Sequence, residues 1–403
     1  MKVDVMVIGA GAAGMAAALK AKEEGAEVLL VERDERTGGI LNQCIHNGFG
    51  LHYFRQELTG PEYAERFQEK MDKMGIKSLT NAYVKQVGDR EVILVTEKGI
   101  ERVEVGALVY TTGARERPFG SLTIPGDRPS GIFTAGVAQR LINIENRLPG
   151  KRALILGSGD IGLIMARRLT LEGMEVVGVV ERLPYAGGLL RNVIQCLEDY
   201  NIPLYLSSTV VEVRGRERLE EVVVAKVDKN FKPIPGTEKV FKVDTLVLSV
   251  GLIPQVELLE HLVEKNPTSK GVATTNTGQT SKNWIFSAGN CTVIFDLVDY
   301  VSYEGEIAGK YAARFVKGEV ENRRIPVKPG KNVMVVHPLW YVPAEPLTLY
   351  LRVKKPIEKG RLTVGRFEKE FEDLVPSEML RVKVLDKDLE GFDEIVVSVE
   401  EVD

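Results

Sequence analysis

The stretch Val3-Asp-Val-Met-Val-Ile8, followed by Gly9-Ala-Gly11-Ala-Ala-Gly14 and an Ala-rich run from Met15 to Glu24, decides the fold. Its first six residues are mostly apolar, as a buried strand is. A Gly-x-Gly-x-x-Gly turn follows, and the run after it reads as a helix. A second apolar strand, from Val28 to Val31, ends on Glu32, 23 residues after Gly9. Each residue type has a physical reason to be there. The first glycine permits the tight strand-to-helix turn, the second lets the backbone approach a pyrophosphate, and the third lets helix and strand pack closely. The helix then presents free N–H groups and a positive dipole end to phosphates. An acid at the end of the second strand accepts hydrogen bonds from ribose hydroxyls.

One such motif is weak evidence, because glycine-rich turns are common. This sequence carries it twice. Residues 153–156 lead into Gly157-Ser-Gly159-Asp-Ile-Gly162. A helix follows with Ile164, Ala166 and Leu169 on its apolar side. The strand 176–180 then ends on Glu181, 24 residues after Gly157. Two copies of strand, turn, helix, strand and acid predict an α/β chain with two Rossmann-like dinucleotide-binding domains.

Working outward, residues 62–74 read as a helix and 83–105 as short strands with turns at Gly88 and Gly99. Residues 107–110 form a buried strand ending in Thr111-Thr112-Gly113-Ala114. The Pro- and Gly-rich connection 115–129 crosses between domains. Residues 204–227 read as a meander and 245–250 as an apolar strand ending at Gly251. Residues 284–288 lead into Gly289-Asn290, and 302–315 form a helix with Ile307, Ala308, Tyr311 and Ala312 on its buried side. Beyond Ile325 the pattern is that of a small β-rich appendage.

Composition sets the outer limits. The 403 residues allow two to four domains, and 44% hydrophobic with 27% charged residues is ordinary for a globular chain. A net charge of −4 and the lack of a Lys/Arg run argue against a nucleic-acid partner. The first strand runs straight into a functional loop, which excludes a signal peptide, and no apolar stretch is long enough for a transmembrane segment. Cys44, Cys196 and Cys291 are scattered, with no CxxC pair. That fits a cytoplasmic location. It argues against a disulfide framework, a zinc ribbon or an iron–sulfur cluster, and no metal site is expected.

Taken in order, these motifs resemble the two-dinucleotide-binding-domain flavoproteins, the superfamily of pyridine nucleotide-disulfide oxidoreductases and NADH oxidases. The resemblance implies a discontinuous FAD-binding domain (1–118 and 258–325), an inserted NAD(P)-binding domain (119–257) and a small C-terminal β-rich domain (326–403). It places FAD on Gly9, Gly11, Ala13, Gly14, Glu32, Gly39, Thr112, Gly113, Gly289 and Asn290. It places the nicotinamide dinucleotide on Gly157, Gly159, Gly162 and Glu181, with Gly251 at the return crossing among the cofactor contacts. Glu181 favours NAD(H) over NADP(H), because a carboxylate repels a 2′-phosphate, and the adjacent Arg182 works partly against this. The family usually has Gly-Asp where this chain has Gly289-Asn290. Within the superfamily, residues 112–118 and 131–140 look like subunits of multicomponent amine, opine and proline dehydrogenases. The loop Gly38-Gly-Ile-Leu-Asn-Gln-Cys44-Ile-His46-Asn-Gly-Phe-Gly50 is closest to a flavoprotein that accompanies a glycerol-3-phosphate dehydrogenase subunit.

Disulfide reductases carry two cysteines in this loop, and here there is one, Cys44. Disulfide reduction is therefore disfavoured. Cys44 is either a redox thiol that cycles through sulfenic acid or a small packed residue. His46 is the candidate general acid or base, since imidazole titrates near neutral pH, or else a histidine that only hydrogen-bonds flavin or backbone. His52 is read as structural. So is His337, because no Glu stands at the spacing expected for an acid–base partner. The helix beginning near Ser302 is expected to aim its positive end at the reduced flavin. The function expected is hydride exchange between NAD(P)H and flavin in a subunit of a multicomponent dehydrogenase, with glycerol 3-phosphate as the substrate of the complex. A homo- or hetero-oligomer and a partner dehydrogenase subunit follow, and the segment Leu339-Trp340-Tyr341-Val342-Pro343 is a candidate docking surface or, equally, a piece of core. The alternative is a stand-alone NADH oxidase or peroxidase that uses Cys44.

Overall fold

The computed structural model describes residues 1–319 and 323–402. Residues 320–322, inside the expected second flavin segment, lie outside the described residues. The chain divides into two units, Met1–Ala114 with Pro254–Asp403, and Arg115–Ile253. The sequence places the crossings at 118/119 and 257/258 instead, and the β-rich tail groups with the first unit.

The first unit opens with β1 (Lys2–Ile8), α1 (Ala12–Glu23), β2 (Val28–Val31), α2 (Gly60–Lys73), β3 (Lys77–Leu79), β4 (Tyr83–Val87), β5 (Glu91–Thr96) and β6 (Gly99–Tyr110). Strand β1 runs parallel between β2 and β6, with Ile8 level with Val31 on one side and Tyr110 on the other. Helix α1 is alanine-rich, a strong helix former, and nearly every residue from Ala12 to Ala21 is buried. Helix α2 starts on a reciprocal cap: the Thr59 hydroxyl accepts from the Glu62 N–H, and the Glu62 carboxylate accepts from the Thr59 N–H.

The second unit holds β7 (Ala114–Glu116), β8 (Ile132–Thr134), α3 (Ala135–Asn143), β9 (Arg152–Leu156), α4 (Asp160–Leu171), β10 (Glu175–Val180), α5 (Leu190–Cys196), β11 (Leu204–Tyr205), β12 (Ser208–Arg214), β13 (Glu221–Lys226), β14 (Lys239–Lys242), β15 (Thr245–Leu248) and β16 (Leu252–Pro254). Its parallel sheet has the order β11-β10-β9-β15-β8, with Leu156 level with Val180 and Leu248. Helices α3 and α4 bury one face of it, and the antiparallel ribbon β12-β13-β14 covers the other.

The chain then returns to the first unit. Strand β17 (Ile285–Ser287) joins β6 parallel along Leu108–Tyr110, and α6 (Val298–Val316) follows. The order β3-β2-β1-β6 is therefore repeated by β11-β10-β9-β15 in the second unit; the fifth strand differs, β17 coming after the others in the chain and β8 before them. Helix α6 lies unusually close to α1. A Cβ on Gly305 or Gly309 would stand 2.2 or 2.1 Å from the carbonyl oxygens of Ala13 and Ala17. Only glycine allows that approach.

The tail builds two sheets from β18 (Ile325–Pro329), β19 (Val333–His337), β20 (Trp340–Tyr341), β21 (Leu347–Val353), β22 (Ile357–Val364), β23 (Phe367–Leu374), β24 (Leu380–Val384) and β25 (Ile395–Glu401). Their orders are β20-β18-β25-β22-β23 and β19-β21-β24, around a core that includes Val327, Leu349, Leu362 and Val397. The segment from Leu339 to Pro343 is core in its middle and half-buried or exposed at its ends. Tyr341 and Val342 are each 2% exposed. The Thr274 carbonyl accepts from the N–H groups of Leu339 and Trp340, and the Asn276 amide bonds both N–H and C=O of Val342. The chain's own loop covers the segment because those backbone groups need partners. Among the described residues, no helix is long and apolar enough to cross a membrane.

Candidate functional site

In the first unit, Gly9 ends β1 with φ +96°, and a Cβ there would lie 2.6 Å from the Thr111 carbonyl oxygen. A Cβ on Gly14 would lie 1.8 Å from the Gly9 carbonyl oxygen, so strand and helix touch at backbone distance. Gly11 is different: a Cβ there meets nothing within 4 Å. This open ground faces a helix N-terminus with no side-chain cap and no acid in its first turn. The N–H groups of that turn are thus available to an anion. Glu32 is buried and accepts from the N–H groups of Ala10 at 2.8 Å and Asp34 at 3.0 Å. Each oxygen keeps a further lone pair for a ribose hydroxyl. Gly38 donates its N–H to the Ala10 carbonyl, and Gly39 comes over Gly11, a Cβ there being 3.2 Å from the Gly11 Cα. Gly289 abuts Ala13. The Asn290 Oδ1 accepts from the Phe295 N–H at 3.1 Å, which leaves its NH2 as a donor. Thr112 donates to the Gln255 carbonyl at 3.0 Å, and Gly113, at φ +72°, has open space beside it. An acid for ribose, open ground for pyrophosphate and an uncapped helix end fit FAD.

The second unit repeats this construction. Gly157, at φ +102°, would put a Cβ 2.0 Å from the Ser249 carbonyl oxygen, and Gly162 would put one 2.3 Å from the Gly157 carbonyl oxygen. Gly159 again meets nothing within 4 Å. Glu181 is buried and accepts from the Ser158 N–H, the Ser158 hydroxyl and the Leu183 N–H, at 3.0, 2.7 and 2.9 Å. The Arg182 guanidinium, next to this acid in the chain, lies over the Phe231 ring, 5.1 Å from the centroid. Gly251, at φ +97°, has open space beside it. These residues can hold a nicotinamide dinucleotide.

Cys44 closes a single 3-10 turn, Gly39–Gln43, and its thiol donates to the Ile40 carbonyl at 3.3 Å. It is half-buried, whereas Cys196 and Cys291 are buried, and none of the three is in a disulfide. Burial pushes the Cys196 and Cys291 thiols up from their ordinary range. His46 stacks on Phe49 and its Nδ1 is 2.9 Å from the Asn47 carbonyl. A carbonyl only accepts, so that contact is made by an Nδ1–H.

Three features escaped the sequence. Helix α6 begins at Val298, not near Ser302, so Asp299 falls in its first turn, 2% exposed, with its carboxylate accepting from the His52 N–H at 3.1 Å. A carboxylate there opposes the positive helix end expected to serve the flavin. His337 is buried, as a structural residue is, but it does have a carboxylate partner: Nε2 is 3.3 Å from Glu304, which comes from α6. The internal repeat also runs further than the acids. Glu32-Arg-x-x-x-x-Gly38-Gly39-Ile-Leu41 matches Glu181-Arg-x-x-x-x-Gly187-Gly188-Leu-Leu190. Thr111 and Ser249 occupy equivalent places under the first and third glycines.

The family model of pyridine nucleotide-disulphide oxidoreductases matches residues 3–308. The chain belongs to this family. Its members bind FAD and NAD(P)H, and the two cradles of this chain fit those groups. It is 29% identical over 343 residues to an opine oxidase subunit of Agrobacterium tumefaciens, covering 77% of this chain and 64% of that one. It is 27% identical over 301 residues to the NAD(P)H coenzyme A polysulfide/persulfide reductase of Pyrococcus horikoshii, covering 72% and 63%. The chain thus spans less than two thirds of these relatives' lengths. Thioredoxin reductase of Lactococcus lactis shares the fold, with a TM-score of 0.64 at 21% identity over 78% of this chain and 99% of that one. For this family member, the internal repeat accounts for two nucleotide cradles of one design.

Proposed function

We propose that this flavoprotein is the NADH-reactive subunit of a multicomponent dehydrogenase of the cytoplasm, in which another subunit oxidises the substrate. The carrying observation is the flavin loop. It has one cysteine, and the two others are buried elsewhere, so no neighbouring dithiol offers electrons a way out. The likeness to a protein named as an opine oxidase subunit supports such a role. The substrate named by the loop 38–50 is glycerol 3-phosphate, and that resemblance is its whole support.

FAD, when bound, supplies two-electron chemistry and exchanges hydride with a nicotinamide ring. The chain's part is to bind and orient. Glu32 and Glu181 take ribose hydroxyls, and the uncapped starts of α1 and α4 take pyrophosphates. The His46 imidazole, in the flavin loop, is the group suited to exchange a proton when substrate electrons arrive with one. Affinity purification of the tagged chain from its own cell tests the reading. A co-purifying subunit is expected, with glycerol 3-phosphate oxidised by the complex but not by the chain alone. Full-rate oxidation by the chain alone would refute it.

A second reading rests on Cys44, the one cysteine that is not buried, and on the likeness to a persulfide reductase. In it the chain works alone and the Cys44 thiol is redox-active.

A further inference from the structure

Residues 183–190 fold back over the nicotinamide cradle. The Gly187 N–H donates to the Ser158 hydroxyl at 2.8 Å, and that hydroxyl donates to Glu181 at 2.7 Å. The Leu189 N–H and the Asn192 side-chain NH2 both donate to one carboxylate oxygen of Asp160, at 2.9 and 2.6 Å. Two latches therefore tie the strap to the turn, one to the ribose-reading acid and one to the first residue of α4.

A Cβ on Gly187 would lie 3.6 Å from the Gly159 backbone nitrogen, so Gly187 stands directly over the glycine whose own Cβ position is open. The flavin cradle has a wall of the same kind, set one residue along: Gly38 is the counterpart of Gly187 in the repeat, and the next residue, Gly39, stands over Gly11. A carboxylate in the first turn suits the helix dipole but competes there with an anionic ligand, and α1 has no acid in that place. The engagement of Asp160 by Leu189 and Asn192 gives it another task.

We propose that residues 183–190 are the second wall of the nicotinamide cradle, that Gly187 leaves the room a pyrophosphate needs, and that Asp160 is the positioning residue that fastens the wall. This rests on the placement of the nicotinamide dinucleotide at Gly157–Gly162.

The test is NAD⁺ binding to the FAD-loaded protein by calorimetry, with visible spectrum and thermal melting as controls. Gly187→Ala adds a methyl at ordinary contact distance, so folding and flavin content stay as they are. Its NAD⁺ Kd should rise on the order of tenfold, since the methyl overfills the ligand's space. Asp160→Asn still accepts the Leu189 N–H and should bind NAD⁺ within about threefold of the parent, while Asp160→Ala, with no acceptor, loses on the order of tenfold. Unchanged affinity in Gly187→Ala overturns the proposal. So does tighter binding by both Asp160 variants, which would make Asp160 a charge and nothing more. Gly159→Val separates the underlying placement: if it binds NAD⁺ normally, the cradle is elsewhere and the wall falls with it.

Discussion

His337 donates from Nε2 to the Glu304 carboxylate at 3.3 Å, and both side chains are buried between α6 and the tail sheet. Tyr350 packs on the same carboxylate, and burial holds its phenol well above the ordinary range, so it stays neutral. His337→Phe keeps the ring volume but removes the donor. A buried carboxylate that loses a partner costs about 1–3 kcal/mol. The expected result is a lower urea midpoint for the first unit, partly recovered by adding Glu304→Leu. An unchanged midpoint in His337→Phe would show that the pair does not hold the tail to α6.

The open ground at Gly11 leads to a prediction about flavin content. Gly11→Val fills the space that the pyrophosphate takes. The variant should purify colourless with its secondary structure intact, and boiling the parent protein should release FAD rather than FMN. A fully yellow Gly11→Val protein would remove FAD from this cradle.

The environment of Glu181 leads to a prediction about cofactor choice. A buried carboxylate meets the ribose, and the one adjacent cation, Arg182, lies over Phe231. NADH should bleach the flavin anaerobically at least about tenfold more efficiently than NADPH. Equal efficiency, or a preference for NADPH, would refute the role given to Glu181.

Both cradles were legible in the sequence because their chemistry is local. Glycine spacing, strand patterning and a terminal acid all lie within some thirty residues, and the structure repeats them with the same order of the first four strands. What could not be read was non-local or unmarked. Helix α6 starts on Leu297, which offers no side-chain cap, so only its apolar stripe from Ser302 onward showed. Glu304 and His337 are 33 residues apart and meet only because the tail sheet packs on α6. Gly305 and Gly309 carry no helix signal of their own, and their meaning lies in the approach of α1. The tail's aromatic segment could be read as surface or core, because the loop at Thr274 and Asn276 that covers its middle is distant in sequence.

Exposure and acidity together rank the three thiols. Cys44 is half-buried, while Cys196 and Cys291 are 3% and 0% exposed. Burial raises the pKa of both, so at pH 8 each has less thiolate than an exposed cysteine. Iodoacetamide on the native protein should label Cys44 first, with the other two reacting only after denaturation. Mass spectrometry of the digested protein decides this, and early labelling of Cys291 would contradict the packing described.

The central claim is that this chain passes electrons between NADH and a partner without a thiol of its own. The most direct measurement is NADH oxidation by the purified, FAD-loaded chain, comparing the parent with Cys44→Ser and offering an artificial dye, oxygen or peroxide as acceptor. The account expects rapid dye reduction, slow turnover with oxygen and peroxide, and rates in Cys44→Ser within about twofold of the parent. Rapid oxygen or peroxide turnover that disappears in Cys44→Ser would contradict it and establish a stand-alone thiol-dependent enzyme.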